Sequence, residues 1–115
     1  DKGQMVNVIT NLLSNAVDAI EGEGRITLWA EDRNNDEEIR ISVSDSGAGI
    51  PDECLHDVFE PFYTTKSHGS GLGMSIVYRT LKENDALISV DSTEGKGTTF
   101  TMFFKAGAET SHPEF

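Results

Sequence analysis

Asn7, Asn11 and Asn15 recur at four-residue intervals, which would stack them along one side of a helix, and two glycine-bearing turns follow them, Asp45-Ser46-Gly47-Ala48-Gly49 and Gly69-Ser70-Gly71-Leu72-Gly73. Side-chain amides, a carboxylate and exposed main-chain donors are complementary kinds of recognition chemistry. An asparagine oxygen is a neutral, hard ligand suited to Mg2+. Asparagine also costs a helix roughly half a kcal/mol relative to alanine, so three of them are not there for helix stability. Asp45 closes a strand-like run, where a carboxylate can accept a hydrogen bond from an exocyclic amine such as that of adenine. Gly47 and Gly49 would let the backbone turn tightly and a flat ring approach. Gly69, Gly71 and Gly73 lead into a helix whose first N–H groups can cradle phosphate.

Taken singly, each feature has an ordinary explanation. The asparagines could form a solvated polar face, Asp-Ser-Gly is a common turn, and the second glycine loop could be a flexible linker. Two better-known phosphate loops do not fit it. A Walker loop needs Lys-Ser/Thr after the glycines, where Met74-Ser75 stands, and a dinucleotide fingerprint would follow the first strand of a βαβ unit. Order and context join the three features into one expectation, an adenine nucleotide site.

The elements that must position these residues are legible as periodicities. Met5, Ile9, Leu12, Leu13, Ala16, Val17 and Ile20 recur at helical spacing over Gln4–Ile20, and Gly22 and Gly24 stop that helix. Arg25–Ala30 and Glu38–Ser44 read as strands about a charged turn, Glu31–Glu37; Ile39, Ile41 and Val43 alternate with polar residues in the second. Pro51 begins a short helix that Pro61 ends. Tyr63–Ser70 reads as a mobile loop. The helix from Gly71 onward carries Leu72, Ile76, Val77 and Leu81 on one face. Leu87–Asp91 and Thr98–Phe104 are the last strands, with Phe100, Met102 and Phe104 on one side of the final one. Without a regular βαβ rhythm, the economical architecture is an α/β (α+β) two-layer sandwich, one mixed sheet with helices on one face.

With 115 residues, 37% of them hydrophobic, the chain suffices for one domain, expected over residues 1–105 with a loose tail at 106–115. Nine Lys plus Arg against twenty Asp plus Glu give a net charge of −11. That field repels nucleic acid, so a bound nucleotide needs a divalent cation to offset its charge. The single cysteine, Cys54, allows no internal disulfide. No membrane-length apolar run or signal-peptide pattern is present, so a cytoplasmic setting is expected, in a parent protein that could itself be membrane-anchored. The chain opens in helix-forming sequence without Met and reads as a piece of a longer protein.

Together the segments resemble the GHKL superfamily with its Bergerat fold, and most closely the ATP-binding catalytic domain of bacterial sensor histidine kinases. QMVNVITNLLSNAVDAI (Gln4–Ile20) is similar to its N box and DSGAGIP (Asp45–Pro51) to its first glycine box. VFEPFYTTK (Val58–Lys66) resembles the F box, GSGLGMSIV (Gly69–Val77) the second glycine box, and STEGKGTTF (Ser92–Phe100) the closing Gly-x-Gly-Thr strand. The Asn-Ala-x-Asp-Ala sequence and the short lid look most like the nitrogen-regulation type.

That resemblance implies ATP and Mg2+ as ligands. Asn15 would hold the metal, with Asn11 one turn earlier lining the phosphate side. Asp45 would bind the adenine amino group, Gly47 and Gly49 would form the base-seating turn, and Thr98 would help through water. Gly69, Gly71, Leu72 and Gly73 would offer main-chain contacts to phosphates, and Lys66 would act from the lid, which is expected to order with nucleotide. Asn11 and Lys66 are the implied catalytic residues. The γ-phosphoryl would pass to a histidine on a separate dimerisation domain and then to a response-regulator aspartate, a phosphorelay without nucleic acid.

Hydrolysing relatives place a water-activating Glu where Asn11 stands, and an amide cannot serve as a general base near neutral pH. This favours a kinase over a self-sufficient ATPase. Asn84-Asp85-Ala86 replaces the usual His-Gly-Gly, and Phe103-Phe104-Lys105 the usual Leu-Pro ending. His56-Asp57-Val58-Phe59-Glu60-Pro61 spells a phospho-acceptor pattern, but it overlaps the F box and is rejected as one. Two alternatives stay open: a serine kinase of the anti-sigma type, and a nucleotide sensor without transfer activity.

Overall fold

The computed structural model describes residues 2–33, 38–59 and 73–105. Helix α1 spans Lys2–Ala19, strands β1 and β2 span Ile26–Arg33 and Glu38–Asp45, and a 3-10 turn covers Asp52–Asp57. Helix α2 spans Gly73–Glu83, and strands β3 and β4 span Leu87–Thr93 and Gly97–Lys105. The four strands form one sheet in the order β1-β2-β4-β3.

Every neighbouring pair in that sheet is antiparallel, where a mixed sheet was expected. Strands β2 and β3 do run the same way, but β4 lies between them, so no parallel pair forms. Ile39, Ile41, Val43 and Asp45 on β2 stand opposite Phe104, Met102, Phe100 and Thr98 on β4. Alternation of side chains puts all eight on the face that carries the helices. The helices close the core from that side with Met5, Val8, Leu12 and Ala16 of α1 and Val77 and Leu81 of α2. Phe59 stacks on Tyr78 of α2 and meets Phe100 of β4 edge-on, with ring centroids 5.3 and 6.1 Å away.

Two helical residues expected inside are not. Val17 is 59% exposed and Ile76 39% exposed, while Val8 is buried. A helix turns about 100° per residue, so the buried row runs 5, 8, 12, 16 and Val17 falls beyond its flank. The expected facing of Phe100, Met102 and Phe104 holds, since all three are buried. Across the opposite face, Ser42–Thr101 and Ser44–Thr99 pair through hydroxyls at 3.2 and 2.8 Å.

The end of α2 is tied to the start of α1 by Asn84, whose side-chain amide donates to Gln4 Oε1 at 3.0 Å. The turn there closes with the Ala86 N–H donating to the Leu81 carbonyl at 2.8 Å, and Asp85 takes φ +58°. A left-handed residue just past the last helical turn is a common way to satisfy orphan carbonyls.

Candidate nucleotide-binding site

Asp45 is the last residue of β2, paired with Ile26 on one side and Thr98 on the other. This central position buries it to 7% exposure. The Gly47 N–H donates to its Oδ1 at 2.8 Å, and the Thr98 N–H also donates to the carboxylate. Burial pushes the Asp45 carboxyl above the ordinary range, and the two N–H donors pull it partly back. An ionised carboxylate offers about four lone-pair sites, so two N–H donors leave acceptor capacity for another hydrogen-bonding group.

The following turn is stitched down on three sides. Ser46 N–H donates to the Arg25 carbonyl at 3.0 Å, and Arg25 N–H donates back to Ser46 Oγ at 2.8 Å. Ala48 N–H donates to the Ala19 carbonyl at 2.9 Å, which anchors the turn to the end of α1. The Gly95 N–H reaches the Ala48 carbonyl at 2.6 Å, and Ile50 N–H reaches Ser92 Oγ at 2.8 Å. Gly49 has φ +76°, and a Cβ there would overlap the Thr93 carbonyl. Both glycines are therefore demanded by close backbone approach, Gly47 against Ala19 and Gly49 against the β3–β4 hairpin.

Asn11 and Asn15 are half-buried on α1, whereas Asn7 is exposed. The three do not share one face because each four-residue step overshoots a full turn by about 40°. The row therefore spirals from the exterior at Asn7 to the flank of the core at Asn15. Asn15 lies one turn before Ala19, whose carbonyl holds the Asp45–Gly49 turn. No group of three or more His, Cys, Asp or Glu capable of holding a metal is gathered among the described residues. Asn11 and Asn15 offer neutral amide oxygens, a donor chemistry that fits Mg2+, an ion that keeps several of its own waters.

Gly73 is the first residue of α2. Lys66, Gly69, Gly71 and Leu72 lie outside the described residues, as do the tail 106–115 and residues 34–37 between β1 and β2, whereas Glu31–Arg33, expected in the charged turn, belong to β1. Of the expected site, the structure brings Asp45, Gly47, Gly49 and Thr98 together and sets the α1 terminus beside them. His56 is exposed within the 3-10 turn. Ser92 hydrogen-bonds to Ile50, Gly97 and Thr98 beside these residues, a position that sequence reasoning did not single out. Its signal was the short hairpin loop Glu94–Lys96, three residues between β3 and β4, which sets Ser92 opposite Thr98.

A family profile described as "Histidine kinase-, DNA gyrase B-, and HSP90-like ATPase" matches residues 1–108. The chain belongs to this family. Among curated members, it is 36% identical over 114 residues to the sensor histidine kinase ZraS of Escherichia coli K12, covering 99% of this chain and 24% of ZraS. It is 40% identical to the sensor kinase CckA of Brucella abortus, over 90% of this chain and 12% of that protein. The chain thus spans about a quarter or less of the curated relatives it matches. The catalytic domain of histidine kinase ThkA, solved nucleotide-free, superposes with TM-score 0.79 at 33% identity, over 91% of this chain and 68% of that one. Full-length ShkA in complex with AMPPNP superposes with TM-score 0.78 at 29% identity, over 90% of this chain and 21% of ShkA. Sequence and fold agree on a histidine-kinase-type ATP-binding domain, an α/β sandwich. No helix among the described residues is long and apolar enough to cross a membrane.

Proposed function

We propose that this domain binds Mg-ATP between α1 and the Asp45–Gly49 turn and delivers the γ-phosphoryl group to a histidine on a dimerisation domain of the same protein, in the cytoplasm. The observation that carries the reading is Asp45, a buried carboxylate at the end of a central strand with two N–H donors on it among the described residues. In this reading Asp45 accepts from the adenine amino group, and Gly47 and Gly49 keep the turn low enough for the ring to seat. Thr98 completes the adenine end, through water. Asn15 would hold Mg2+, with Asn11 facing the phosphates. The metal would supply charge neutralisation across the phosphate oxygens.

Main-chain N–H groups at Gly69, Gly71, Leu72 and Gly73 and the Lys66 ammonium would hold the phosphates. Phosphoryl transfer asks the protein mainly for positioning and charge stabilisation, which these groups provide without a built-in base. Asn11 in place of a carboxylate supports transfer to an incoming nucleophile over hydrolysis. A response regulator would then take the phosphoryl group from the histidine. The Asn15-Ala16-Val17-Asp18-Ala19 sequence supports the nitrogen-regulation type within the family.

Calorimetry with millimolar Mg-ATP tests the binding half of the proposal, and absence of heat and of thermal protection would remove it. Transfer is tested by incubating the loaded domain with a helical hairpin carrying its parent's histidine. Acid-labile phosphohistidine is expected. Phosphoserine in a partner protein would point instead to the anti-sigma type, and binding without any transfer to a nucleotide sensor.

A further inference from the structure

Ser92 Oγ sits at the centre of three hydrogen bonds, each 2.8 Å long, to the Ile50 N–H, the Gly97 carbonyl and Thr98 Oγ1. A serine hydroxyl has one proton and two lone pairs. The Gly97 carbonyl can only accept, so it takes the Ser92 proton. The two lone pairs are then filled by the Ile50 N–H and, necessarily, by the Thr98 hydroxyl proton. Thr98 is thereby committed inward. Its oxygen is left with lone pairs alone to offer.

Thr98 and Asp45 are direct partners across β2 and β4 on the helix-bearing face, and both are buried. The Thr98 main-chain N–H is spent on the Asp45 carboxylate. What this corner presents to a ligand is consequently acceptor-only, whether directly or through a water that spends both protons on these oxygens: carboxylate oxygen from Asp45 and hydroxyl oxygen from Thr98. Such a corner suits a base edge carrying an amino group, and it opposes one carrying a carbonyl oxygen.

We infer that Ser92 is a positioning residue for base selection: by holding the Thr98 proton, it makes the site discriminate 6-amino from 6-oxo purine nucleotides. The inference rests on the proposed adenine pocket but adds a residue that touches no ligand itself. Without the Ser92 oxygen, the Thr98 hydroxyl can rotate and donate toward a 6-oxo group. The Ser92 role is therefore visible in a ratio of affinities, whereas a merely structural role would weaken all nucleotides alike.

The test is calorimetric Kd for Mg-ATP and Mg-ITP on the full chain, for the unaltered protein, Ser92→Ala, Thr98→Val and the double variant. The ITP-to-ATP Kd ratio is expected to fall about tenfold in Ser92→Ala, the scale of one hydrogen bond gained or lost in a buried site. It should fall in Thr98→Val too, and adding Ser92→Ala to Thr98→Val should change nothing further. An unchanged ratio in Ser92→Ala, or equal effects of Ser92→Ala with and without the Thr98 hydroxyl, overturns the inference. Should Ser92→Ala fail to fold, an unchanged ratio in Thr98→Val overturns it instead. Failure of the unaltered chain to bind ATP would remove the nucleotide reading itself, a different result from binding with an insensitive ratio.

Discussion

The Ala19 carbonyl, at the end of α1, accepts the Ala48 N–H at 2.9 Å, and Gly47 packs its bare Cα directly beneath that same carbonyl. The contact joins the helix that carries Asn11 and Asn15 to the turn that begins at Asp45. The distance between the Asn11 and Asn15 amides and the Asp45 carboxylate is therefore set by backbone, without any long side chain in between.

Gly47→Ala should break this junction, because the added Cβ would overlap the Ala19 carbonyl, which cannot swing aside without moving α1. Overpacking of this kind costs about 1–3 kcal/mol. Gly22→Ala provides the comparison: φ is +76° and nothing lies within 4 Å of the new Cβ, so only left-handed backbone strain of about 1 kcal/mol remains. Urea denaturation should show both losses, with ATP affinity falling only in Gly47→Ala. Equal nucleotide affinity in the two variants would mean the junction does not hold the site.

Asp45 is expected to make apo stability and nucleotide affinity pull in opposite directions. Its folded-state pKa is raised, chiefly by burial. The folded state thus binds more protons than the unfolded one between the ordinary aspartate value and the raised value. Stability attributable to this group declines as pH rises through that window and stays at its lower level above it. Relative to Asp45→Asn, the apo domain should lose melting temperature between acid and neutral pH, and the variant should lose ATP binding. A melting difference between the two proteins that does not vary with pH would contradict the burial effect.

Strand and helix periodicities in the sequence differ in how faithfully they report a buried face. Period-two alternation in Ile39–Val43 and Thr99–Phe104 foretold the inward faces of β2 and β4, since strand geometry leaves no drift. Helical spacing was less faithful. The row Asn7, Asn11, Asn15 looked like one face, yet rotation carries Asn7 into solvent, and Val17 was counted inside for the same reason. Sheet order was illegible, because nothing local announces that β4 inserts between β2 and β3. Asp45 and its glycines were singled out from residue type and spacing, and the structure gathers them at one turn. Ser92 was not, because a serine becomes a hub only when a hairpin and a turn converge on it.

Asp85 occupies a left-handed conformation, φ +58°, at the point where α2 turns into β3. The family resemblance led us to expect glycine in this tripeptide, and the backbone supplies a reason for it. Asp tolerates such angles at a cost that glycine avoids. Asp85→Gly should stabilise the domain by about 0.5–1 kcal/mol, the excess of relieved strain over glycine's greater unfolded entropy. Equilibrium unfolding in urea would measure it. Destabilisation would show that the Asp85 side chain stabilises the turn by more than its strain costs.

The asparagine spiral gives a test of the metal assignment that carries its own control. Asn15 and Asn7 are two four-residue steps apart on one helix, and the rotation leaves one half-buried beside the core flank and the other exposed. Asn15→Ala is expected to abolish Mg-ATP binding at submillimolar concentration, while Asn7→Ala should leave Kd within about twofold, as surface changes usually do. Both substitutions remove an amide from the same helix and replace it with a better helix former, so a fold-level effect would appear in both. Repeating the titration in EDTA separates cation from nucleotide: the deficit of Asn15→Ala should shrink when no Mg2+ is available to the unaltered protein either. A deficit of equal size with and without the metal would assign Asn15 to the phosphates themselves and leave the cation to another ligand.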